Sequence, residues 1–550
     1  MANKKAGQDT QGASSFILHP SSFRNTILLA FFLGALTVAG FAPFSLFPLP
    51  VLTLALLMRL WTMQALPRRA AVLGFAFGLG LFLCGVSWVY ISLHDFGAMP
   101  AALAAAATLL FCIYLALFPA LAGYLFAATA LPVVFRLTLF LPAAWTVLEW
   151  TRGWLFTGFP WLAIGYSQVP LGPLAGYAPV LGIYGVTLAT VLSAGLLVVL
   201  WQHCTANAES GMMNAEQLSR KARFFKFIAH RSSFIILALW LTGWALQKVE
   251  WTHPTGAPLQ VSLLQGNIPQ ELKWREDHVR TTLDYYRNLV ETSDSRLIIL
   301  PETALPLFLQ HVPADYLETL AAHAKKHNGD ILVGVPERLK SGDYYNSVLS
   351  FGTAPTQSYR KSHLVPFGEY IPLRPVLGGI VAVLAIPLQD FARGETTQQP
   401  LNVAGQRVAV NICYEDAFGE EIIRQLPQAT LLVNVSNVAW FGRSVAPRQH
   451  LQISQARALE TGRYMLRATN TGVTGVIDQR GRVVRSAPEF ATATVTHSVQ
   501  GYQGATPYVR WGNYAVLALA LLLMASAFVI RHVRASNKPT QHRKLPTTGT

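Results

Sequence analysis

Eight apolar segments constrain the fold of this chain more than any other feature. A helix that crosses a membrane needs about 20 mostly apolar residues. The second segment is the weakest candidate, because it is short and contains Arg59. The first is followed directly by further apolar runs, which indicates a retained span and not a cleaved signal. The segments that we predict to span the membrane are 25–41, 48–63, 70–93, 99–128, 134–152, 179–201, 232–248 and 512–531.

The charge of the chain supports this interpretation. Charged residues make up 13% of the sequence, whereas soluble domains carry about 25%. The formal net charge is +15, which in a soluble protein would suggest nucleic-acid binding. Here the basic residues cluster between and beyond the apolar runs, so we predict a membrane protein that does not bind nucleic acid.

The basic residues also predict the orientation of the chain. Connections rich in Lys and Arg usually face the cytoplasm. Such residues precede the first apolar run, occupy the second, fourth and sixth connections, and follow the last run. With eight spans, the long segment between the seventh and eighth lies outside the cytoplasm. A miscount of one span would reverse that placement.

These observations divide the chain into five parts. We predict a cytoplasmic tail at 1–23, a bundle of seven helices at 24–250, an extracytoplasmic domain at 251–508, a carboxyl-terminal spanning helix at 509–534 and a second cytoplasmic tail at 535–550.

The extracytoplasmic domain alternates strand-like and helix-like patterns, which is typical of an α/β layered fold. The apolar segment 370–395, rich in Pro and Gly, is either a lipid-contacting lid or an ordinary packed insertion. We predict strands at 259–264, 296–300, 331–335, 344–350, 407–412 and 430–435, and helices at 276–291, 315–327, 417–425 and 448–461.

Cys413 is the single cysteine in the polar half of the chain, and it ends the predicted strand 407–412. The four cysteines show no paired spacing, so neither disulfides nor a zinc site is expected. A lone cysteine after an apolar strand is usually a small buried hydrophobe. It becomes a nucleophile when a base or a cation lies beside it. From the residues alone, His363, His450, Glu302 and Lys361 all remain possible partners.

Glu149 and Arg152 end the fifth apolar run with a spacing of three residues. Two interpretations remain open. They form a polar feature on a lipid or substrate path, or they form an interfacial ion pair that anchors the helix end.

Several motifs resemble a known family. The segments around Glu302, Lys361 and Cys413 resemble the Glu–Lys–Cys triad of the nitrilase superfamily, in the same chain order. Outside the tails 1–23 and 535–550, the whole chain resembles bacterial apolipoprotein N-acyltransferases. The motifs that carry this resemblance are GFAPFS at 40–45, EWTRGWLFTGFPW at 149–161, GYSQ at 165–168, QGNIPQELKW at 265–274, KSHLVPFGEYIP at 361–372, ICYED at 412–416 and AWFG at 439–442.

The resemblance implies a fold and a set of roles. The fold is a transmembrane bundle of about eight helices that carries a nitrilase-type α-β-β-α sandwich. Cys413 is the implied nucleophile and Glu302 the general base, while Lys361 stabilises the oxyanion with backbone N–H groups near Tyr414. The implied supporting and substrate-binding residues are Glu369, Tyr414, Glu415, Asn346, Trp274 and Trp440.

The resemblance also implies an activity. A phospholipid, expected to be phosphatidylethanolamine, donates its sn-1 acyl group to form a thioester, and the amino group of a diacylated apolipoprotein accepts it. No metal or organic cofactor is needed. The implied enzyme is a monomer in the bacterial inner membrane, with its catalytic domain in the periplasm.

Two positions depart from the family pattern. Val438 follows Asn437 where the family has aspartate, and Arg443 follows Gly442 where an acidic residue is common. We expect these departures to affect a mobile arm or the headgroup preference and to leave the triad intact.

Two alternative functions remain open at this point. A membrane-tethered amidase or nitrilase acting on a small molecule would use the same triad. A transporter with a non-catalytic binding domain would need ionisable residues inside the spans, and these are sparse.

Overall fold

A computed structural model describes residues 20–209, 215–371 and 391–536. Most of the predicted lid, residues 372–390, lies outside these ranges. The two predicted tails also lie almost entirely outside them.

The prediction of a membrane bundle is confirmed. Six helical segments are long and apolar enough to cross a membrane, and the two shorter apolar helices, Pro48–Thr62 and Arg231–Leu246, fall on the second and seventh predicted spans. The helices are Pro20–Thr37, Pro48–Thr62, Pro67–Val86, Ala101–Ala128, Leu141–Arg152, Ala178–Glu209, Ala215–Leu246 and Tyr514–Ser536, and the turns Val133–Phe135 and Arg136–Phe140 extend the fifth.

Two of these helices differ from the predicted runs. The predicted run 70–93 is broken after Val86, and Ser92–Phe96 forms a π-helical turn. Beside the break, the indole of Trp88 donates hydrogen bonds to Gly85 O at 3.0 Å and to Gln449 Oε1 at 3.3 Å. The seventh helix begins at residue 215, well before its apolar run. The hydropathy pattern does not detect the first half of this helix, because that half contains several Arg and Lys residues.

Glycines let the first, third and fourth helices pack closely. A Cβ added at Gly80 would lie 2.0 Å from Phe31 O, and one at Gly34 would lie 1.8 Å from Phe77 O. Helices in a membrane associate mainly by such close contact, since lipid supplies little hydrophobic drive between them. The backbones of helices Pro20–Thr37 and Pro67–Val86 therefore touch where no side chain fits.

We expect Gly80→Leu to destabilise the bundle by about 1–3 kcal/mol or more, the usual cost of overpacking. The clash is with backbone, which cannot move aside as a flexible side chain would. Thermal unfolding of the purified protein in detergent measures the loss. Ala105→Leu is the control, because Ala105 is exposed on helix Ala101–Ala128. Equal melting midpoints for the two variants would refute close packing at Gly80.

The domain between the seventh and eighth membrane helices contains two six-stranded sheets. The first has the strand order β12-β1-β2-β3-β4-β5, and the second has the order β11-β10-β9-β8-β7-β6. All six predicted strands are present, while the strands after residue 460 were not predicted. The bounds are β1 His253–Gln265, β2 Leu297–Ile299, β3 Asp330–Arg338, β4 Tyr344–Gly352, β5 Ser358–Arg360, β6 Leu401–Val403, β7 Gln406–Ile412, β8 Leu431–Ser436, β9 Met465–Thr469, β10 Gly475–Ile477, β11 Val483–Ser486 and β12 Ala493–Gln503.

The two sheets pack face to face between helical layers. Side chains such as Val261 and Val433 fill the space between the sheets. Helices Glu276–Glu291 and Ala314–Lys326 cover the first sheet, and the short helix Gly419–Ile422 and helix Ala446–Thr461 cover the second. Alternate residues of each strand thus serve two different cores. This is the α-β-β-α sandwich that the resemblance implies.

Helix Ala446–Thr461 joins the sandwich to the membrane bundle, because it is buried on both sides and its apolar residues belong to the cores of both. Its Gln452 accepts a hydrogen bond from Ala42 N at 3.0 Å. Its Glu460 accepts one at 2.7 Å from Ile183 N, directly after the non-helical Gly182 that breaks helix Ala178–Glu209. The sandwich domain therefore supplies an acceptor for the first N–H of a membrane helix.

Candidate active site

Cys413 lies where β7 ends and a 3-10 turn, Cys413–Ala417, begins. Its φ of 54° is in the left-handed region, which costs a non-glycine residue energy and is common at functional sites. Its carbonyl accepts hydrogen bonds from Asn434 Nδ2 and His450 Nε2, both at 3.1 Å. Burial and the Glu302 carboxylate raise the pKa of the Cys413 thiol, and the Lys361 ammonium opposes that rise.

Lys361 lies between two carboxylates. Its Nζ is 2.9 Å from Glu369 Oε1 and 3.7 Å from Glu302 Oε1. Burial by itself favours the neutral amine, yet Glu369 and Glu302 raise the pKa of Lys361 above its ordinary value. Lys361 is 1% exposed, so this ion-paired ammonium stays charged in an environment with little water.

Two asparagines fix the carboxylate of Glu302. Asn346 Nδ2 donates to Glu302 Oε1 at 2.7 Å and to Glu369 Oε1 at 3.1 Å. The backbone N–H of Asn437 donates to Glu302 Oε2 at 2.7 Å. Each carboxylate oxygen of Glu302 therefore accepts a hydrogen bond, and Asn346 holds the two glutamates at a fixed separation.

The loop after β2 reaches this position because β3 leaves room for it. A Cβ at Gly334 would lie 2.2 Å from Pro301 O and 2.8 Å from Thr303 N. Thr303 adopts a φ of 46°, so the chain turns sharply after Glu302. A glycine in the neighbouring strand and a left-handed residue in the loop together carry Glu302 to the edge of the sandwich.

Glu415 connects the strand end of Cys413 to the loop of Lys361. Its carboxylate accepts hydrogen bonds from the backbone N–H groups of Ile412, Ser362 and His363 at 2.7–3.0 Å. The hydroxyl of Tyr359 donates to both carboxylate oxygens at 3.1 Å. Burial raises the pKa of Glu415, and these N–H donors oppose that rise. In the described structure Glu415 holds backbone and does not join the Glu302–Lys361–Glu369 group.

Tyr414 connects the site to the membrane bundle. Its hydroxyl donates to Gly158 O at 2.8 Å, and its ring stacks on Phe159 with centroids 6.4 Å apart. Gly158 belongs to a loop in which Phe156 and Thr157 also have positive φ. The residue next to Cys413 is thus held by a strained turn of the membrane bundle.

Trp274 and Trp440 lie at the periphery, with 44% and 40% of their surface exposed. The segment of Trp440 contacts the bundle, because Ser92 Oγ donates to Trp440 O at 2.7 Å and the Trp440 ring lies 6.1 Å from that of Phe96. Both aromatic side chains therefore expose apolar surface, unlike the buried charged residues of the site.

Neither histidine is arranged as a partner for the thiol. His450 bonds the carbonyl of Cys413 and, at 2.7 Å, the carboxylate of Asp416. His363 pairs with Glu421 at 3.1 Å and stacks on a phenylalanine. Of the partners that the residues alone left open, Glu302 and Lys361 are the ones whose charges act on the Cys413 thiol.

The charges of Glu149 and Arg152 act on each other, but within the described part of the chain the two side chains form no direct salt bridge. Both are buried, and each has other partners. Glu149 accepts hydrogen bonds from Thr187 Oγ1 at 2.8 Å and Ile164 N at 3.0 Å. Arg152 Nη1 donates to the carbonyls of the loop that holds Tyr414, at 2.5 and 2.8 Å. The pair braces the bundle loop and does not anchor a helix end at the interface.

Two buried charged groups beside the site were not predicted. Lys273 donates to Glu302 O at 3.1 Å. Arg467, in β9, donates to Asp416 at 3.1 Å behind Cys413. The position of Lys273 inside the QGNIPQELKW motif is the one signal in the sequence that points to it. Among the described residues, no group of three or more His, Cys, Asp and Glu is placed to hold a metal ion.

Comparison with known proteins gives matches over most of the chain. Residues 33–196 match the family model "Apolipoprotein N-acyltransferase N-terminal domain", and residues 260–508 match "Carbon-nitrogen hydrolase". A solved carbon-nitrogen hydrolase from Helicobacter pylori is similar over 51% of this chain and 96% of its own, at 15% identity with a TM-score of 0.33.

Curated relatives are similar over nearly their full length. The apolipoprotein N-acyltransferase of Nitrosomonas europaea is 56% identical over 504 residues, covering 91% of this chain and 97% of the relative. That of Methylococcus capsulatus is 46% identical, covering 93% and 97%. That of Chromobacterium violaceum is 44% identical, covering 95% and 98%. The chain therefore belongs to the apolipoprotein N-acyltransferase family.

Proposed function

We propose that this membrane enzyme transfers a fatty acyl group from the sn-1 ester of a phospholipid to the amino group of a diacylated apolipoprotein cysteine. Phosphatidylethanolamine is the expected donor. The observation that supports this proposal most is the buried Lys361, held between Glu302 and Glu369 with its charge acting on Cys413. A thiol, a carboxylate and an ammonium in one site are the groups that acyl transfer needs.

The first half-reaction forms a thioester. Glu302 accepts the thiol proton while Cys413 Sγ attacks the ester carbonyl carbon. Lys361 and backbone N–H groups near Tyr414 bind the oxyanion, and each such donor lowers the barrier by about 3–4 kcal/mol. The C–O bond then breaks, Glu302 returns the proton to the leaving alkoxide, and a lysophospholipid departs. The acyl group remains on Cys413.

The second half-reaction reverses these roles. The neutral amino group of the apolipoprotein attacks the thioester carbonyl, and Glu302 accepts a proton from the nitrogen. The C–S bond breaks, and the Cys413 thiolate recovers its proton from Glu302. The products are an amide and the free enzyme, so the two halves balance and need no metal or organic cofactor.

The supporting residues have distinct proposed parts. Asn346 and Glu369 orient Glu302 and Lys361, Glu415 fixes the two loops, and Tyr414 aligns the turn after Cys413. Trp274 and Trp440 are exposed, and their proposed part is to contact the acyl chains. Moving an acyl chain into water costs about 0.8 kcal/mol per CH₂, so a site that stands on a membrane avoids that cost for both substrates.

We place the enzyme in the bacterial inner membrane, with the domain 251–508 in the periplasm, seven helices in 24–250, a spanning helix at 509–534, and tails 1–23 and 535–550 in the cytoplasm. The basic connections support this orientation, and a monomer is proposed.

Mixing the purified protein with a phospholipid of defined acyl chains is expected to add one acyl mass at Cys413, because thioester formation precedes amide formation. Intact-protein and peptide mass spectrometry detect the increment. A diacylated lipopeptide should then remove it and appear as the triacylated product.

Cys84→Ser is the matched control, since Cys84 is a free cysteine in a membrane helix and should leave the increment unchanged, whereas Cys413→Ser should abolish it. Release of ammonia from small amides without phospholipid acylation would favour an amidase. Full biological activity of Cys413→Ala would favour transport.

A further inference from the structure

Lys273 is a second lysine buried at the proposed acyl-transfer site. It is 3% exposed, although lysine is almost never fully buried unless it is paired. Its Nζ donates to Glu302 O at 3.1 Å and to Thr303 Oγ1 at 2.5 Å. Both acceptors belong to the loop that presents the proposed general base.

The hydrogen bonds of Lys273 act at the sharpest point of that loop. Thr303 has a φ of 46°, which a β-branched residue adopts only when its surroundings hold it. The ammonium binds on both sides of the Glu302–Thr303 peptide bond, through the carbonyl of one residue and the hydroxyl of the next. Lys273 thus fixes the backbone from which the Glu302 side chain projects.

The segment that carries Lys273 is anchored to the same region at other points. Gln270 Oε1 accepts a hydrogen bond from Asn437 Nδ2 at 2.8 Å, and the N–H of Ile268 donates to Asn470 Oδ1 at 2.9 Å. Trp274, the next residue along the chain, is exposed. The base of this segment is therefore rigid, while the aromatic at its tip faces outward.

The charge of Lys273 also fits the charges around it. Its ammonium interacts with Glu302 and with Cys413, and the other charged groups that act on the Cys413 thiol are Lys361, Glu369 and Arg467. Since Arg467 is itself paired with Asp416, the remaining charges are two carboxylates and two ammonium groups. Without Lys273, the group around Cys413 would carry an excess negative charge in a medium of low dielectric constant, which disfavours a thiolate.

Resting on the proposed function, we infer that Lys273 is a positioning residue for acyl transfer: it fixes the Glu302 loop and supplies the second positive charge that allows negative charge to develop at Cys413. Burial lowers the pKa of Lys273 to about 8, against the opposing effects of Glu302 and Cys413. The ammonium form is therefore present at neutral pH and is lost as the pH rises through that value.

The test compares Lys273→Met, Lys273→Arg and the unchanged protein in two measurements. The first is the pH dependence of Cys413 alkylation by iodoacetamide, followed on the Cys413 peptide so that the other cysteines do not contribute. The second is the single-turnover rate of thioester formation from phosphatidylethanolamine, which contains no amine acceptor step. Lys325→Met is the control, because Lys325 is exposed on helix Ala314–Lys326.

We expect Lys273→Met to shift the part of the alkylation profile below pH 8 to higher pH by about one unit or more, since the positive charge that is present there is lost. The profiles should converge above that pH, where Lys273 is neutral in the unchanged protein. Thioester formation should slow about 10- to 100-fold, and Lys273→Arg should recover most of both, because it keeps the charge. A Lys273→Met profile that overlays that of Lys325→Met, with a thioester rate within twofold, would overturn the inference. If Lys273→Met shifts the alkylation profile to higher pH and Lys273→Arg does not restore it, the charge-based role of Lys273 is wrong.

If Lys273→Met does not fold, Thr303→Val is tested in its place. Thr303→Val removes one acceptor of the Lys273 ammonium and conserves the shape of the side chain. A shift in the same direction supports the inference, and no change in either measurement contradicts it. If the unchanged protein forms no thioester with phospholipid, the proposed function fails, whereas the alkylation profiles still decide the role of Lys273.

Discussion

Replacing Glu302 with glutamine is expected to slow thioester formation about 100- to 10,000-fold, the usual contribution of a positioned general base. Glutamine has the same shape, and its carbonyl oxygen can still accept the hydrogen bond that Asn437 N gives to Glu302. It cannot accept a proton from Cys413. The cost to folding is about 1–3 kcal/mol, because the amide nitrogen of glutamine faces the Nδ2 donor of Asn346 and Lys361 loses one of its two carboxylate neighbours.

Single-turnover acylation from a defined phospholipid measures this effect, with Glu318→Gln as the control because Glu318 is exposed. The variant Glu369→Gln distinguishes the role of Glu369 from that of Glu302. Glu369 binds Lys361 more closely than Glu302 does, so its loss should weaken oxyanion binding without removing the base. A Glu302→Gln protein that is folded and forms thioester at a tenth or more of the normal rate would exclude Glu302 as the base.

Much of the fold was predictable because its signals are local. Among the described residues, hydropathy over about 20 residues located the six helices that are long and apolar enough to cross a membrane and the two shorter apolar helices. Apolar runs located β1 to β4 with β7 and β8. β9 was missed because Arg467 interrupts its pattern. That arginine is buried only because Asp416, from a distant part of the chain, pairs with it. The sequence pattern around Arg467 does not include Asp416, so it could not predict that Arg467 is buried.

The site was predictable in part, and mainly through the resemblance. The residues alone left His363 and His450 as possible partners of Cys413. What excludes them is tertiary: His450 bonds a carbonyl and Asp416, 34 residues away, and does not bond the thiol. Lys273 was not singled out because a lysine next to Glu271 and Trp274 looks like an ordinary surface charge. Its burial depends on a loop about 30 residues farther along the chain.

The contacts between the sandwich domain and the membrane bundle also could not be predicted from the sequence. Glu460, Gln452 and Tyr414 each bond backbone of the bundle, and these contacts join residues more than 200 positions apart. Tyr414 adjoins Cys413, the proposed nucleophile, so the bundle takes part in shaping the candidate site. A soluble domain cut out at residue 251 would lose the acceptor that Gly158 provides.

Replacing Lys361 with methionine is expected to cause two losses with separate origins. Thioester formation should fall about 100- to 1,000-fold, because the oxyanion loses a charged donor. The folded state should also lose about 3–5 kcal/mol, because removing one partner leaves buried carboxylates without a countercharge. Single-turnover acylation and thermal unfolding in detergent measure the two effects, with Lys340→Met at an exposed lysine as the control.

The double variant Lys361→Met/Glu369→Gln distinguishes these origins. Glu369 Oε1 is the nearest carboxylate atom to Lys361 Nζ, at 2.9 Å, so neutralising it removes most of the uncompensated charge. Stability should then recover by a large part of the loss, since contacting residues are strongly coupled, while acylation stays at the level of Lys361→Met. Recovery of acylation together with stability would mean that Lys361 serves only to hold the fold, and that another group binds the oxyanion.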